Sequence, residues 1–199
     1  MASKKPFYLV GCDMSLWQPD TRVTADYDFI IFKASEGASI GDPTFNAKLD
    51  RAKAVGVDLV GAYHYARTTN TPETDAENFL RRIQARPELG HNMILALDIE
   101  GADLNRPGSI AWCRKWLDIV YKATGIKPVV YISASYTKYC ADLFAGDYGL
   151  WVAHWGVKNP KVDAWSFWAF WQYEVRDNLD RDYFNGSKEQ FLKYCVPTK

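Results

Sequence analysis

Hydrophobic residues form short runs of strand length along the chain, and these runs alternate with segments whose apolar residues repeat at helical spacing. Several runs are almost continuously apolar, such as Val129-Val130-Tyr131-Ile132. Such runs are typical of strands that are buried on both faces of a parallel sheet. The predicted strands cover residues 7–13, 29–35, 59–66, 93–100, 128–133, 150–155 and 167–173.

Helical spacing, together with residues that favour helix ends, predicts four helices between and after these strands. Thr71-Pro72 precedes two acidic residues, which a helix N-terminus favours, and Ser109 is a predicted N-cap. The predicted helices run from Pro43 to Gly56, from Thr71 through Ile83, from Ser109 to Gly125 and over residues 188–194.

The alternation of strand and helix over 199 residues predicts an α/β fold with a parallel sheet. Seven or eight strands favour closure of this sheet into a barrel. The connections from Ser133 to Leu150 and from Trp155 to Phe167 leave little room for full helices. We therefore predict an irregular (β/α) TIM-like barrel with some helices missing or vestigial, forming one domain over residues 1–199 with its core at about 7–195.

The 24 basic and 24 acidic side chains cancel to a formal net charge of zero. A neutral chain lacks the basic surface that nucleic acids attract, so no nucleic-acid partner is expected. No run approaches the roughly 18 apolar residues that span a membrane, so no membrane partner is expected either. The N-terminus is basic but precedes no apolar segment with a cleavage site, and no signal peptide is visible. We expect a cytoplasmic protein, with a secreted form that has lost its leader as the alternative.

The four cysteines show no pairing pattern and no metal-ligand spacing with the three histidines, so we expect no metal site. We interpret them as reduced thiols packed in the core, with a disulfide between Cys140 and Cys195 as the alternative. No glycine-rich fingerprint for phosphate or dinucleotides is present, and no cofactor is expected.

Acidic residues occur where predicted strands end. Asp13 ends the first strand, Glu36 follows the second, and Asp98 and Glu100 end the fourth. In β/α barrels the C-terminal strand ends and the loops after them form the active face, so these acids are expected to converge at one mouth.

Asp98 and Glu100 are two residues apart, so a strand directs both side chains to the same side. Two carboxyl groups in different environments can have different pKa values, so that one is protonated and the other ionised. Glycoside hydrolysis requires one carboxyl group in each of these states. The plainer alternative is that the acids cap a turn. Glu36 alone could form an ion pair with Lys33, and the segment 178–184 by itself looks like a solvated turn.

Aromatic residues and a histidine also fall near predicted strand ends, where they suit either a hydrophobic core or a surface that stacks on sugar rings. As substrate-binding candidates we take these together with Glu36. The aromatic and histidine candidates are Tyr63, Tyr65, Tyr131, Trp151, His154 and Trp171.

Nine segments, in order along the chain, resemble the glycoside hydrolase family 25 lysozymes, the Chalaropsis-type muramidases. Two of them are Leu97-Asp98-Ile99-Glu100 and Trp171-Gln172-Tyr173. The other segments cover residues 11–18, 28–37, 60–66, 76–80, 128–133, 150–156 and 179–186.

The resemblance implies a single catalytic domain, an irregular β/α barrel that hydrolyses the β-1,4 bond between N-acetylmuramic acid and N-acetylglucosamine in bacterial peptidoglycan. It makes Glu100 the general acid/base and Asp98 the partner carboxylate, which stabilises the oxocarbenium-like state or orients the substrate's N-acetyl group. Asp13 and Asp180 match further acids of the site, and Asp182 stands where the family is expected to have Asn.

Two other functions stay open at this point, a chitinase-like hydrolase of N-acetylglucosamine polymers and a non-catalytic glycan-binding barrel. We expect a monomer that acts on peptidoglycan glycan strands. A compact chain without a visible signal peptide resembles a phage or prophage endolysin, which stays in the cytoplasm until it is released onto the cell wall.

Overall fold

The computed structural model describes residues 8–86 and 93–197, and its largest element is one nine-stranded sheet. The predicted start of the first strand at Phe7 lies outside the described residues. The strands are β1 Leu9–Met14, β2 Phe29–Glu36, β3 Ile40–Gly41, β4 Leu59–Tyr65, β5 Met93–Asp98, β6 Val129–Ser133, β7 Gly149–Ala153, β8 Phe170–Arg176 and β9 Leu179–Phe184.

Eight of these strands close into a barrel. β1, β2, β4, β5, β6, β7 and β8 are parallel neighbours in that order, and β9 runs antiparallel between β8 and β1. The short β3 pairs only with the end of β2. The predicted irregular (β/α) barrel is thus confirmed, but the interpretation of the segment around Asp180 and Asp182 as a solvated turn is wrong. Those residues belong to β9, whose inward-facing acids hide the usual strand alternation.

The helices are fewer and shorter than a complete β/α barrel would have. The four predicted helices are present, and two short helices add a single turn each. No helix lies in the connection 154–169 between β7 and β8. The helices are α1 Phe45–Ala54, α2 Pro72–Gln84, α3 Gly101–Leu104, α4 Ser109–Thr124, α5 Ala141–Ala145 and α6 Lys188–Tyr194.

Local sequence explains the helix ends. The Thr71 side chain accepts a hydrogen bond from the Thr74 amide and caps α2 at the predicted start of this helix. Ser109 does not cap α4, because Gly108 occupies the cap position and the Ser109 hydroxyl donates to the Leu104 carbonyl instead. Gly125 ends α4 in the left-handed conformation at φ 73°, which glycine adopts without strain.

The barrel interior is filled at the end where the parallel strands begin. Phe191 of α6 packs against Phe29, Phe170 and Phe184 with ring centroids 5.2–5.8 Å apart, and all four side chains are buried. A second apolar layer fills the space between the strands and α2 and α4, around Trp116. Because aromatic rings fill one end, the open end of the barrel is the one where the parallel strands stop.

All four cysteines lie within the described residues, and each is buried and free. The predicted packed thiols are therefore confirmed, and the alternative disulfide between Cys140 and Cys195 is not formed. Within residues 8–86 and 93–197, none of the helices combines the length and the apolar character that crossing a membrane requires.

Candidate active site

A cavity of about 300 Å³ opens at the C-terminal ends of the parallel strands. Its wall contains four carboxyl groups, those of Asp13, Asp98, Glu100 and Asp180. The predicted convergence of acids at one mouth therefore exists in the fold, although Asp180 arrives from β9 rather than from a turn. The other lining residues are Ser15, Trp17, Lys33, Tyr63, Tyr65, Tyr131, Trp151, Trp155 and Gln172.

Strand geometry places each acid. Asp13 of β1 is paired in register with Asp180 of β9, and Asp98 is the last residue of β5. The backbone remains extended at Glu100, with φ −153° and ψ 176°, before α3 begins. Alternation therefore continues past the end of β5, and Asp98 and Glu100 both face the cavity while Ile99 is buried in the layer outside the barrel.

Burial and repulsion between neighbouring carboxyl groups raise the pKa values of three of the four acids, Asp13, Asp98 and Asp180. Burial, with Glu100 and Asp13 nearby, raises the pKa of Asp98 well above its usual range. Burial and the charge of Asp180 raise the pKa of Asp13 to about 7, and burial and Glu100 raise that of Asp180. Lys33 is the cation among the lining residues. Because these three buried carboxyl groups resist ionisation, the cavity retains protons close to neutral pH.

Gln172 of β8 connects the acids to the aromatic rings. Its Nε2 donates to Asp13 Oδ2 at 2.9 Å, and its Oε1 accepts from the Tyr131 hydroxyl at 3.0 Å and from Trp155 Nε1 at 3.1 Å. Sequence reasoning did not select Gln172. Side chains alternate along a strand, so Gln172 faces the opposite side from its neighbours Trp171 and Tyr173. An outward Trp171 would therefore have indicated an inward Gln172.

Aromatic rings form both the floor and the rim of the cavity. Trp151 contacts Tyr131 and Tyr63 edge to face, with centroids 5.0 and 6.3 Å apart, and all three are buried. At the rim, Trp155 is 55% exposed and Trp17 is 75% exposed. The buried rings shape the pocket, whereas the exposed rings offer faces on which a sugar can stack. Trp17 and Trp155 were not among the predicted site residues, although the predicted strand 150–155 ends at Trp155.

Tyr65 joins the rim to Glu100. Its side chain lies in hydrogen-bonding contact with the Glu100 carboxyl group, and Lys33 Nζ lies 4.7 Å from the centroid of its ring. The prediction that Tyr63, Tyr65, Tyr131 and Trp151 lie at the barrel mouth agrees with this geometry.

Three predicted substrate-binding residues, Glu36, His154 and Trp171, do not line the cavity. Glu36 is paired with Lys33 Nζ at 2.6 Å and with Arg67 Nε at 2.9 Å, which is the ion-pair alternative. His154 accepts a hydrogen bond from the Lys161 amide. Trp171 faces the outer layer and donates to the His154 carbonyl, because period-two alternation points it away from the inward Gln172.

Within the described part of the chain, no group of three or more His, Cys, Asp or Glu side chains is arranged to hold a metal ion. The four acids of the cavity instead lie at the open end of the barrel.

Comparisons with known proteins agree with this geometry. A model of glycosyl hydrolases family 25 matches residues 12–181. Lysozyme M1 from Streptomyces globisporus is 31% identical over 92% of this chain and 69% of its own length. The crystal structure of a bacterial lysozyme from Streptomyces coelicolor superposes with a TM-score of 0.80 at 26% identity, covering 98% of this chain and all of that one. A family GH25 lysozyme from Aspergillus fumigatus gives a TM-score of 0.79 at 26% identity over 95% of this chain and 99% of that one.

Proposed function

The chain belongs to glycosyl hydrolase family 25, and from this premise we propose that it is a lysozyme. It hydrolyses the β-1,4 bond between N-acetylmuramic acid and N-acetylglucosamine in bacterial peptidoglycan. The observation that carries this proposal is the convergence of four carboxyl groups with exposed aromatic rings at the mouth of one barrel. This set provides proton transfer, stabilisation of positive charge and stacking on pyranose rings, which glycan hydrolysis requires together.

In the proposed reaction Glu100 is the general acid and then the general base. It lies two residues beyond Asp98, at the start of α3, and its side chain is only partly buried. A glycosidic oxygen entering from solvent reaches Glu100 before it reaches the deeper Asp98. Glu100 protonates the departing oxygen, and afterwards it takes a proton from the water that attacks the anomeric carbon.

Asp98 is the partner carboxyl group. It is 9% exposed, and its Oδ1 atom has no hydrogen-bond partner among the described residues. An oxygen without a donor in a buried site is free to act on the substrate, either on positive charge at the anomeric carbon or on the N–H of the N-acetyl group.

Asp13 and Asp180 supply the electrostatic surroundings. Burial and the neighbouring acids raise the pKa values of both groups, so that the cluster retains protons near neutral pH. Rising pH removes these protons, and we therefore expect turnover to fall on the alkaline side.

Peptidoglycan is the partner in the proposed reaction, and Trp155 and Trp17 at the rim suit its sugar rings. The monomeric state, the cytoplasmic location before release and the lack of nucleic-acid and membrane partners stay predictions from the sequence.

The experiment that tests the proposal is mass spectrometry of the soluble products from purified peptidoglycan, after borohydride reduction of the new ends. Muropeptides that end in reduced N-acetylmuramic acid support a lysozyme. Ends of reduced N-acetylglucosamine would show that the bond is assigned wrongly. Release of sugars from chitin oligomers with none from peptidoglycan would favour a chitinase-like enzyme, and binding without products would favour a glycan-binding barrel.

A further inference from the structure

Asp182 is a buried acid immediately behind the catalytic cavity. It has no exposed surface and lies on β9 opposite Gly11 of β1 and Gln172 of β8. Its Oδ1 accepts a hydrogen bond from Trp151 Nε1 at 2.8 Å. Its Oδ2 receives no N–H or O–H group from any residue that the structure describes. Because Asp182 does not line the cavity, the proposed reaction does not use it.

The side chains of Asp182 and Asp13 lie in hydrogen-bonding contact with each other. Two ionised carboxylates cannot form a hydrogen bond, because both only accept. The contact is therefore attractive only when one of the two groups carries a proton. Asp13 reaches the cavity and accepts a hydrogen bond from Gln172, which favours its charged form. Asp182 is the more buried of the two, and burial together with the charge of Asp13 raises its pKa well above the usual range.

We propose that Asp182 is a positioning residue that remains a neutral carboxylic acid and donates a hydrogen bond to Asp13. The bond holds Asp13 against Gln172, which in turn orients Tyr131 and Trp155 through its amide oxygen. One proton behind the cavity thus fixes a row of side chains that extends to the rim. When that proton leaves, two adjacent buried carboxylates repel each other and the row separates, so Asp182 sets the alkaline limit of the enzyme.

The surroundings of Asp182 favour retention of the proton. The elements that pack against it contribute more acids than bases, and Arg181, the basic neighbour, has its Nε atom 3.8 Å from Glu174. Burial raises the pKa of the neighbouring Cys12 thiol, so the thiol adds no negative charge near neutral pH. The titratable and charged side chains around Asp182 are Asp13 and Cys12 from β1 and Asp180 and Arg181 from β9, while β7 and β8 present the uncharged Trp151 and Gln172.

The first test is Asp182→Asn, with the pH dependence of kcat/KM as the measurement. Asparagine keeps the acceptor for Trp151 and offers Asp13 an N–H donor that is not lost at high pH. We expect the alkaline limb to move upward by about one pH unit or more. Simple removal of a negative charge would lower the pKa of the remaining acids and move the limb downward. A limb that stays in place or moves downward overturns the inference.

A second variant and a control separate positioning from general damage. Asp182→Leu offers Asp13 no donor at any pH, so we expect turnover to be about tenfold lower across the whole profile. Near-UV circular dichroism identifies a variant that has failed to fold. The control is Asp177→Asn, which makes the same substitution at an exposed position between β8 and β9. It should keep the wild-type profile, and an upward shift like that of Asp182→Asn would overturn the inference.

The inference rests on the proposed function for its kinetic readout only, and a second readout needs no turnover. Carbon-13 NMR of labelled aspartate carboxyl groups should show a protonated carboxyl at neutral pH that is missing from Asp182→Asn. An ionised Asp182 at neutral pH overturns the inference. A wild-type chain that keeps the protonated signal but releases no products from peptidoglycan overturns the proposed function instead.

Discussion

Two clusters of buried polar side chains lie on opposite faces of β4. On the inner face are the acids of the cavity and, behind them, Asp182. Asp98 and Asp182 each have an oxygen without a donor among the described residues. On the outer face, His64 lies between Ser35 and Asp75. Its Nδ1 is 2.8 Å from Ser35 Oγ, and its Nε2 is 3.1 Å from Asp75 Oδ2.

The outer cluster is satisfied in every direction. Asp75 also accepts hydrogen bonds from the Arg67 amide and from Asn70, and the His64 ring stacks on Trp116 with centroids 5.4 Å apart. Ser35, His64 and Asp75 are the residue types of a hydrolytic triad, yet all three have no exposed surface. A serine that no substrate can reach is not a nucleophile, so this network stabilises the fold. Buried polar atoms without a partner, rather than residue type, therefore distinguish the functional cluster from the structural one.

The largest effect should come from the inner cluster. Glu100→Gln removes the proposed proton donor while keeping the shape of the side chain, so turnover of peptidoglycan should fall by at least about 10³-fold. Glycan binding and the free energy of unfolding should change little. Glu36→Gln is the matched control, because Glu36 lies outside the cavity and its loss should leave turnover close to wild type. Near wild-type turnover in Glu100→Gln would sink the proposed role.

The outer cluster should affect stability instead. His64→Leu leaves Ser35 and Asp75 buried without their partner, which should lower the free energy of unfolding by about 3 kcal/mol in urea titrations. Turnover per folded molecule should stay near wild type. His154→Leu, in the loop after β7, is the control and should lower the free energy of unfolding much less. An unchanged unfolding free energy in His64→Leu would show that the network contributes no stability.

The inner cluster should oppose folding when it ionises. The pKa of Asp13 is about 7 in the fold and close to 4 in an unfolded chain, so ionisation of Asp13 favours the unfolded state. This destabilisation is absent below the pKa of the unfolded chain, grows between the two pKa values and is complete above pH 7. Asp13→Asn should therefore raise the free energy of unfolding by about 2 kcal/mol at mildly alkaline pH and by almost nothing in acid. A gain that is equal at both pH values would contradict this origin.

The smallest effect should come from the rim. Trp155→Ala removes an exposed ring from the cavity, and we expect KM to rise about fivefold with a smaller change in kcat, because stacking stabilises bound glycan before and during reaction. The control is Phe167→Ala, which truncates an aromatic residue of similar exposure that does not line the cavity. An equal rise of KM in both variants would remove the case for stacking at Trp155.

The sequence predicts those parts of the fold that follow a local rule. Apolar runs place seven strands, and the spacing of Asp98 and Glu100 places two acids on one side. β9 breaks the rule, because its inward positions carry Asp180 and Asp182 instead of apolar residues. Trp171 points outward into the apolar layer around the barrel, whereas Trp151 points inward and lines the cavity. Because both are tryptophans, only the strand register determines which of them lines the cavity. That register depends on contacts between distant segments, which periodicity does not describe.

The closing strand β9 has a consequence for how the enzyme acquires activity. Asp13 accepts a hydrogen bond from Gln172, which lies 159 positions later in the chain, and it pairs in register with Asp180, which lies later still. Contacts between such distant segments form slowly, because the intervening chain must lose its freedom first. A growing or partly folded chain therefore has an incomplete active site, and hydrolytic activity appears only when β1 and β9 have paired. The rate at which turnover appears during refolding would therefore report the rate of barrel closure.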